Sequence, residues 1–339
     1  MAALIFEVFR NVGRWASHYF GPTFKPFWTY IAEALRPKIK WILRRTTGLT
    51  ELQRVCYGEN AGAPRNLAVE LSMVKSRKSG MKKLIQFLNR AAEEGRFSGS
   101  EGHSAIISNS VQAVYQIKEI RPEVHPKFGK IFGTCVSHIW GYRDLLHILE
   151  KLRTMQYDSA SPEHEKKLLD LWSLLMPNQM LRSRVTDQWK EVGFQGDDPK
   201  TDFRGMGILG LENLLYFVKE YPAAALHVLS HSNHPKYGYS FAIVGINLTS
   251  TALTLWKTGA AKTHFYNYCH HHNIQRPEIY LFHQFYCYLF FEFDRFWLAE
   301  KPATIMEFSR IHNLFEKNIR AKLANPSVLL KLDFFIDTL

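Results

Sequence analysis

Cysteine is scarce in this sequence, and long hydrophobic runs are absent. The thiols among its 339 residues are Cys56, Cys135, Cys269 and Cys287, and no two of them are close together. This usage is typical of buried thiols in a reducing compartment rather than of a disulfide framework. No uninterrupted apolar run reaches the length that a membrane-spanning helix needs. We therefore expect a cytoplasmic protein.

Acidic residues are also under-represented. The chain has 31 acidic against 43 basic residues, which gives a formal charge of +12 and a pI of about 9.4. A basic excess favours an anionic partner, such as a nucleic acid, a membrane surface or an acidic protein face. No RNA-binding signature or zinc-finger spacing occurs, so we expect no nucleic-acid partner.

Half of the excess positive charge lies in residues 1–50, which contain eight basic and two acidic residues. Apolar side chains recur at helical spacing from Leu4 to Tyr19, and a second short helix is predicted from Lys38 to Arg45, with Trp41 among its basic residues. Tryptophan beside basic residues suits a membrane interface. We expect residues 1–45 to contact an anionic surface of an intracellular membrane such as the endoplasmic reticulum, Golgi or mitochondria. The alternative is that these helices pack on the main domain.

Strand-like alternation is nearly absent, and the pattern predicts an all-α protein. Helices are predicted over residues 67–94, 105–120, 129–155, 250–261, 278–299 and 302–324. Residues 237–248 have strand-like composition, but their length and periodicity do not distinguish a strand from a buried helix. The predicted divisions are amphipathic helices at 1–57, a helical extension with loops at 58–126, one large domain at 127–325 and a tail at 326–339.

Metal-ligand residues cluster in two places, and neither has the spacing of a metal site. Adjacent histidines on a helix point in different directions, so His270–His272 are predicted to form a polar loop without a metal. Asp197, Asp198 and Asp202 have the oxygen chemistry for Mg²⁺. However, Asp198 precedes a proline and is a turn starter, and Asp202 or Thr201 can cap a following turn.

Five glycines, a proline and three aspartates are concentrated in residues 193–210, between two apolar, helix-like segments. This composition predicts a structured loop. Residues 205–210 match G-x-G-x-x-G, but no hydrophobic strand precedes them, so no dinucleotide or other cofactor is expected. Arg204 lies in the loop between Phe203 and Gly205, and by spacing alone it could simply be a solvated arginine on a turn.

The stretch from Trp189 to Tyr216 resembles the signature of the ELMO domain, in its ELMO domain-containing branch. The pattern is Trp-x3-Gly-Phe-Gln, then Pro-x-Thr-Asp-Phe-Arg-Gly, then a helix start rich in glycine and leucine. The matching residues are Trp189, Gly193, Phe194, Gln195, Pro199, Thr201, Asp202, Phe203, Arg204, Gly205, Gly207, Leu209, Gly210 and Leu211. Residues 43–56, 168–177, 232–249 and 282–297 are similar to the same family, and the link at 234–240 is most similar to the second vertebrate member.

The resemblance implies an all-α domain that activates GTP-bound small GTPases of the Arf and Arf-like group. The family's catalytic arginine falls on Arg204, whereas the ELMO scaffold proteins lack it. The GTPase would bring GTP and Mg²⁺, so the chain would be an activator rather than an enzyme with its own substrate. A non-catalytic scaffold or membrane tether is the alternative.

The neighbours of Arg204 are expected to support the loop or bind the partner. Phe194 and Phe203 would anchor the loop in the core, and Gly205 and Gly207 would let the backbone approach the partner. Asp202 would orient the guanidinium or cap the next turn. The remaining members of this set are Gln195, Asp198 and Thr201.

Overall fold

The computed structural model describes residue 35, residues 38–98 and residues 102–332, and these residues contain helices and loops but no strand. The all-α prediction is therefore confirmed. Residues 38–47 are helical and precede twelve further α-helices. These are α1 (Glu51–Gly58), α2 (Ala63–Val74), α3 (Ser79–Glu93), α4 (His103–Lys118), α5 (Phe128–Thr154), α6 (Pro162–Leu175), α7 (Gly207–Glu220), α8 (Pro222–Ser232), α9 (Phe241–Lys257), α10 (Lys262–His271), α11 (Tyr280–Glu300) and α12 (Phe308–Leu323). Three short 3-10 helices cover Asp187–Val192, Pro199–Arg204 and Ile305–Glu307.

Side-chain caps fix the beginnings of several helices. Thr50 and Gln53 form a reciprocal capping box at the start of α1. Ser161 accepts a hydrogen bond from the His164 N–H at the start of α6, and Pro162 occupies the first turn. These contacts satisfy N–H groups that a helix start otherwise leaves without partners.

Two predicted elements differ from the structure. The helix predicted over 67–94 is two helices, α2 and α3, and the break lets the Ser76 hydroxyl accept a hydrogen bond of 3.1 Å from Lys118 Nζ. The strand-like segment at 237–248 contributes the first half of α9. Because α9 is packed between α7 and α11, most of its side chains are apolar and no amphipathic period marks it as a helix.

Helix α7 is the centre of the fold, and it packs against α5, α6, α8, α9 and α11. Helices α1 to α4 cover another side of α5. The aromatic residues of α11 are mostly buried in the core. Buried apolar side chains form one cluster that extends from Leu52 to Leu330. The division of the chain at residue 127 stays a prediction.

The helix at residues 38–47 has one face on the protein and one face in solvent. Leu43 is 3% exposed, and ion pairs join Lys40 to Glu51 and Arg44 to Glu119. Trp41, by contrast, is 65% exposed. The predicted stripe from Leu4 to Tyr19 lies outside the described residues. Among the helices that the structure describes, none combines the length and the apolar character needed to cross a bilayer.

Candidate functional site

Arg204 lies at the end of the second 3-10 helix, just before α7. We call residues 184–207 the Arg204 loop. Asp198 begins this 3-10 helix, because its Oδ1 accepts a hydrogen bond of 3.0 Å from the Lys200 N–H. Pro199 is buried in the first turn, where its missing N–H has no cost. The turn-starting role predicted for Asp198 is confirmed. The following helix, α7, has Met206 as its N-cap residue and no side-chain cap, so neither Thr201 nor Asp202 caps it.

A column of aromatic rings joins the Arg204 loop to the core. Its ring centroids are separated by 5.4 to 5.7 Å, and its members in order are Trp172, Trp189, Phe194, Phe203 and Tyr157. All five side chains are buried. Packed aromatic contacts of this kind restrict side-chain motion and contribute beyond the area that they bury. The predicted anchoring of the loop by Phe194 and Phe203 is therefore consistent with the packing of both rings.

The Arg204 side chain is exposed, although the residue before it is fully buried. Its Nε donates a hydrogen bond of 2.8 Å to the Thr201 carbonyl oxygen. Among the residues that the structure describes, no carboxylate forms an ion pair with this guanidinium. One nitrogen thus holds the side chain against its own backbone, and the two terminal nitrogens are available to a partner.

Asp202 closes the loop onto Gln195. Its Oδ2 accepts a hydrogen bond of 2.9 Å from the Gln195 N–H. The sequence did not predict this contact, and the role of Asp202 in orienting the guanidinium stays a prediction. Burial raises the pKa of the Asp202 carboxyl, and the Gln195 N–H and the Arg204 charge oppose that change.

The glycines of the loop serve different purposes. Gly193 has φ +85°, and a Cβ there would lie 2.3 Å from the Phe241 nitrogen at the start of α9. Gly207 is buried with φ +52°, and its Cβ would lie 2.4 Å from the carbonyl oxygens of Arg153 and Met155. The expectation that Gly207 faces a partner is therefore wrong, because it faces the end of α5. Gly205 is exposed, and a Cβ there would meet nothing within 4 Å.

Arg184, which the sequence patterns do not single out, joins the loop to α6. Its Nε donates to Glu165 Oε2 at 2.6 Å, and its Nη1 donates to Asp198 Oδ1 at 3.0 Å. Tyr157 completes this group by donating to Glu165 Oε1 at 2.6 Å. Burial acts to lower the pKa of Arg184, but the hydrogen bonds to the two carboxylates raise it above its usual range. These contacts span residues 157–198, so no local spacing reveals them.

We expect Arg184→Lys to lower the free energy of unfolding by about 1.5–3 kcal/mol, the usual worth of hydrogen bonds to charged groups. Lysine cannot reproduce the fork that reaches both carboxylates. Urea unfolding would measure the change. Arg182→Lys is a matched control, because Arg182 is an exposed arginine that pairs with Asp187, and it should lose less than about 1 kcal/mol. Equal losses in the two variants would contradict the role given to Arg184.

The three aspartates and the three histidines that cluster in the sequence do not converge as metal ligands among the residues that the structure describes: each aspartate has its own partner, and two of the histidines are helical. Lys190 Nζ lies 2.8 Å from Asp197 Oδ1, while Asp198 and Asp202 bind the partners described above. His270 and His271 belong to the last turn of α10, so the predicted polar loop is wrong there.

Two further histidines that lie near that triplet in the sequence are buried in the core. His264 Nδ1 accepts the Leu330 N–H at 3.2 Å, and His283 Nδ1 pairs with Asn213 Oδ1 at 2.7 Å. Burial lowers the pKa of His264 to about 3 and that of His283 to about 4.

The glycine pattern at residues 205–210 has no strand before it among the described residues, although a dinucleotide site would require one.

The chain is similar to known proteins of one family. The model of the ELMO/CED-12 family matches residues 147–312. ELMO domain-containing protein 1 of Mus musculus is 43% identical over 309 residues, which cover 86% of this chain and 89% of that protein. ELMO domain-containing protein 2 of the same species is 45% identical over 294 residues, covering 87% and 94%. ELMO domain-containing protein B of Dictyostelium discoideum is 33% identical over 284 residues, covering 83% and 92%.

Proposed function

Because this chain belongs to the ELMO domain-containing protein family, we propose that it is a GTPase-activating protein for small GTPases of the Arf and Arf-like group. In this proposal Arg204 enters the GTPase in trans and acts as an arginine finger on bound GTP. The observation that carries the proposal is the position of Arg204: its guanidinium is exposed without a carboxylate partner among the described residues, directly after a fully buried phenylalanine.

The chemistry requires such a group. As the bond to the γ-phosphate opens, negative charge increases on the oxygen that bridges the β- and γ-phosphates. A guanidinium at that position stabilises the transition state more than the ground state. Such a finger contributes roughly 10³–10⁵ in rate. The terminal nitrogens of Arg204 can also form the planar, bidentate contacts that phosphate oxygens accept.

The loop around Arg204 supports this role because it limits the motion of the finger. The aromatic column holds Phe203, and the hydrogen bond from Gln195 N to Asp202 Oδ2 closes the loop across seven residues. A side chain fixed before binding loses less conformational entropy when the complex forms. The partner would supply GTP, Mg²⁺ and a residue that orients the attacking water.

Single-turnover GTP hydrolysis across a panel of Arf and Arf-like GTPases tests the proposal. We expect the full chain to accelerate hydrolysis by at least one member by several orders of magnitude. A chain that binds a GTP-loaded GTPase but accelerates none of the panel would instead support a scaffold or tether.

We also propose that residues 1–45 attach the protein peripherally to an anionic membrane surface. Within the described part of this segment, Trp41 faces solvent while Arg45 lies over its ring at 5.8 Å. This combination of an exposed tryptophan and basic neighbours favours an interfacial helix. Each basic residue near an anionic surface contributes roughly 1 kcal/mol, and salt screens that contribution.

Vesicle flotation tests the membrane proposal. Deleting residues 1–45 should release the protein from vesicles that contain phosphatidylserine, and Trp41→Ala should weaken flotation while leaving the fold intact. Met180→Ala is a matched control, because Met180 is 90% exposed but lies far along the chain from the basic segment. Equal flotation of the truncated and full chains would refute the proposal.

A further inference from the structure

Two histidines and one aspartate converge between α8 and α11, outside the Arg204 loop. His227 and His231 are four residues apart on α8, and Asp294 belongs to α11. One potential ligand atom from each residue lies within 4.8 Å of the other two. Residues four apart on a helix share a face, so both imidazoles reach the same point opposite α11.

Burial and hydrogen bonds hold these side chains in position. The Asp294 carboxylate is fully buried, and the His231 side chain is 20% exposed. Tyr239, in the link between α8 and α9, donates a hydrogen bond of 2.6 Å to Asp294 Oδ1. The other oxygen, Oδ2, lies 2.7 Å from His231 Nδ1, and the rings of His227 and His231 are 4.1 Å apart.

We propose that His227, His231 and Asp294 bind a divalent transition-metal ion, with Zn²⁺ the best match. Two imidazoles and one carboxylate, completed by water, form a donor set that Zn²⁺ accepts in tetrahedral geometry. The two histidines lie toward solvent, so an ion can enter and keep a water ligand. Tyr239 fixes the carboxylate from behind, in the manner of the outer partners that orient metal ligands.

The proposed ion takes the place of the hydrogen shared by His231 Nδ1 and Asp294 Oδ2, and the ring stays neutral with its proton on Nε2. A doubly protonated His231 releases its Nδ1 proton to solvent, whereas a singly protonated ring gives up the Nδ1 proton and takes one up at Nε2, with no net release. Tetrahedral bonds of about 2.0–2.1 Å hold ligand atoms roughly 3.3 Å apart, so the two atoms must separate by about half an ångström. A rotation of the partly exposed His231 ring is sufficient for that. Bound metal would then join α8, the link that contains Tyr239, and α11.

A simpler arrangement of the same residues needs no ion. Tyr239, Asp294 and His231 already form a hydrogen-bonded chain that ties the link to both helices. If only that hydrogen-bonded chain exists, replacing His227 leaves the affinity for Zn²⁺ unchanged. If the metal site exists, His227 is a ligand and its replacement lowers that affinity. His227 is partly exposed, so it can be replaced without removing a core side chain.

The test is Zn²⁺ binding to the full chain, purified without a histidine tag and stripped with a chelator. Zn²⁺ is titrated in competition with a chromogenic chelator, and thermal unfolding is measured with and without the ion. Wild type should bind one high-affinity equivalent and unfold at a higher temperature. His227→Gln should lose more than the roughly 10–100-fold that removal of an outer partner costs, and Tyr239→Phe should lose about that amount.

The exposed histidines at the end of α10 provide the control. His271→Gln should bind Zn²⁺ as wild type does, because the proposal assigns no metal to that cluster. Circular dichroism in chelator shows that each variant is folded before binding is compared. The proposal is overturned if wild type binds no more tightly than folded His227→Gln, or if His271→Gln lowers the affinity as much as His227→Gln does.

Discussion

Replacing Arg204 with lysine is expected to reduce the stimulation of GTP hydrolysis by roughly 10³–10⁵, the usual contribution of an arginine finger. This corresponds to about 4–7 kcal/mol of activation free energy. Lysine keeps the positive charge but presents a single ammonium group, so it cannot contact two phosphate oxygens with a planar fork. The measurement is single-turnover hydrolysis by a GTPase that the wild-type chain activates.

The fold should not change in this variant, because Arg204 is exposed and its hydrogen bond within the protein joins Nε to the Thr201 carbonyl. Urea unfolding should therefore agree with wild type within about 0.5 kcal/mol, as for most surface substitutions. Arg295→Lys is the matched control, since Arg295 is also an exposed arginine but lies on α11. If Arg204→Lys stimulates hydrolysis as well as wild type and Arg295→Lys do, the finger is excluded and the scaffold alternative remains.

The sequence predicts those elements whose signal is local. Helix α5 begins and ends within one residue of the predicted range 129–155, because it is long and strongly periodic. Helix α9 is ambiguous because burial on several sides removes the polar face that would define a period. The break between α2 and α3 involves a hydrogen bond from Lys118, which is more than forty residues away in the chain.

The same distinction applies to the functional residues. The segment containing Arg204 is visible in the sequence because it is one continuous, distinctive stretch. Arg184 is not visible, because its importance comes from Glu165 and Asp198, which approach it only in the folded chain. The spacing of His227 and His231 is present in the sequence as a helical pair, but the carboxylate facing them is on a different helix.

Gly207→Ala is expected to destabilise the fold by about 2–5 kcal/mol, from two separate causes. A residue with a Cβ costs roughly 1–2 kcal/mol in the left-handed conformation that Gly207 adopts at φ +52°. Its methyl group would also lie 2.4 Å from the carbonyl oxygens of Arg153 and Met155, and such overpacking costs typically 1–3 kcal/mol. The Met155 oxygen accepts a hydrogen bond of 2.9 Å from the Ile208 N–H, so the methyl group would also push apart the junction of α5 and α7.

Gly205→Ala separates stability from partner contact. Its φ of −82° and ψ of −38° suit any residue, and its Cβ would have open space, so the free energy of unfolding should stay the same or rise by about 0.4–1 kcal/mol. If the partner's surface approaches this backbone, as the sequence predicts, the new methyl group should slow stimulated GTP hydrolysis in a folded protein. Urea unfolding and single-turnover hydrolysis of both glycine variants would check this pair. A Gly207→Ala protein as stable as Gly205→Ala would contradict the close packing at the start of α7, because only that packing makes the two glycines different.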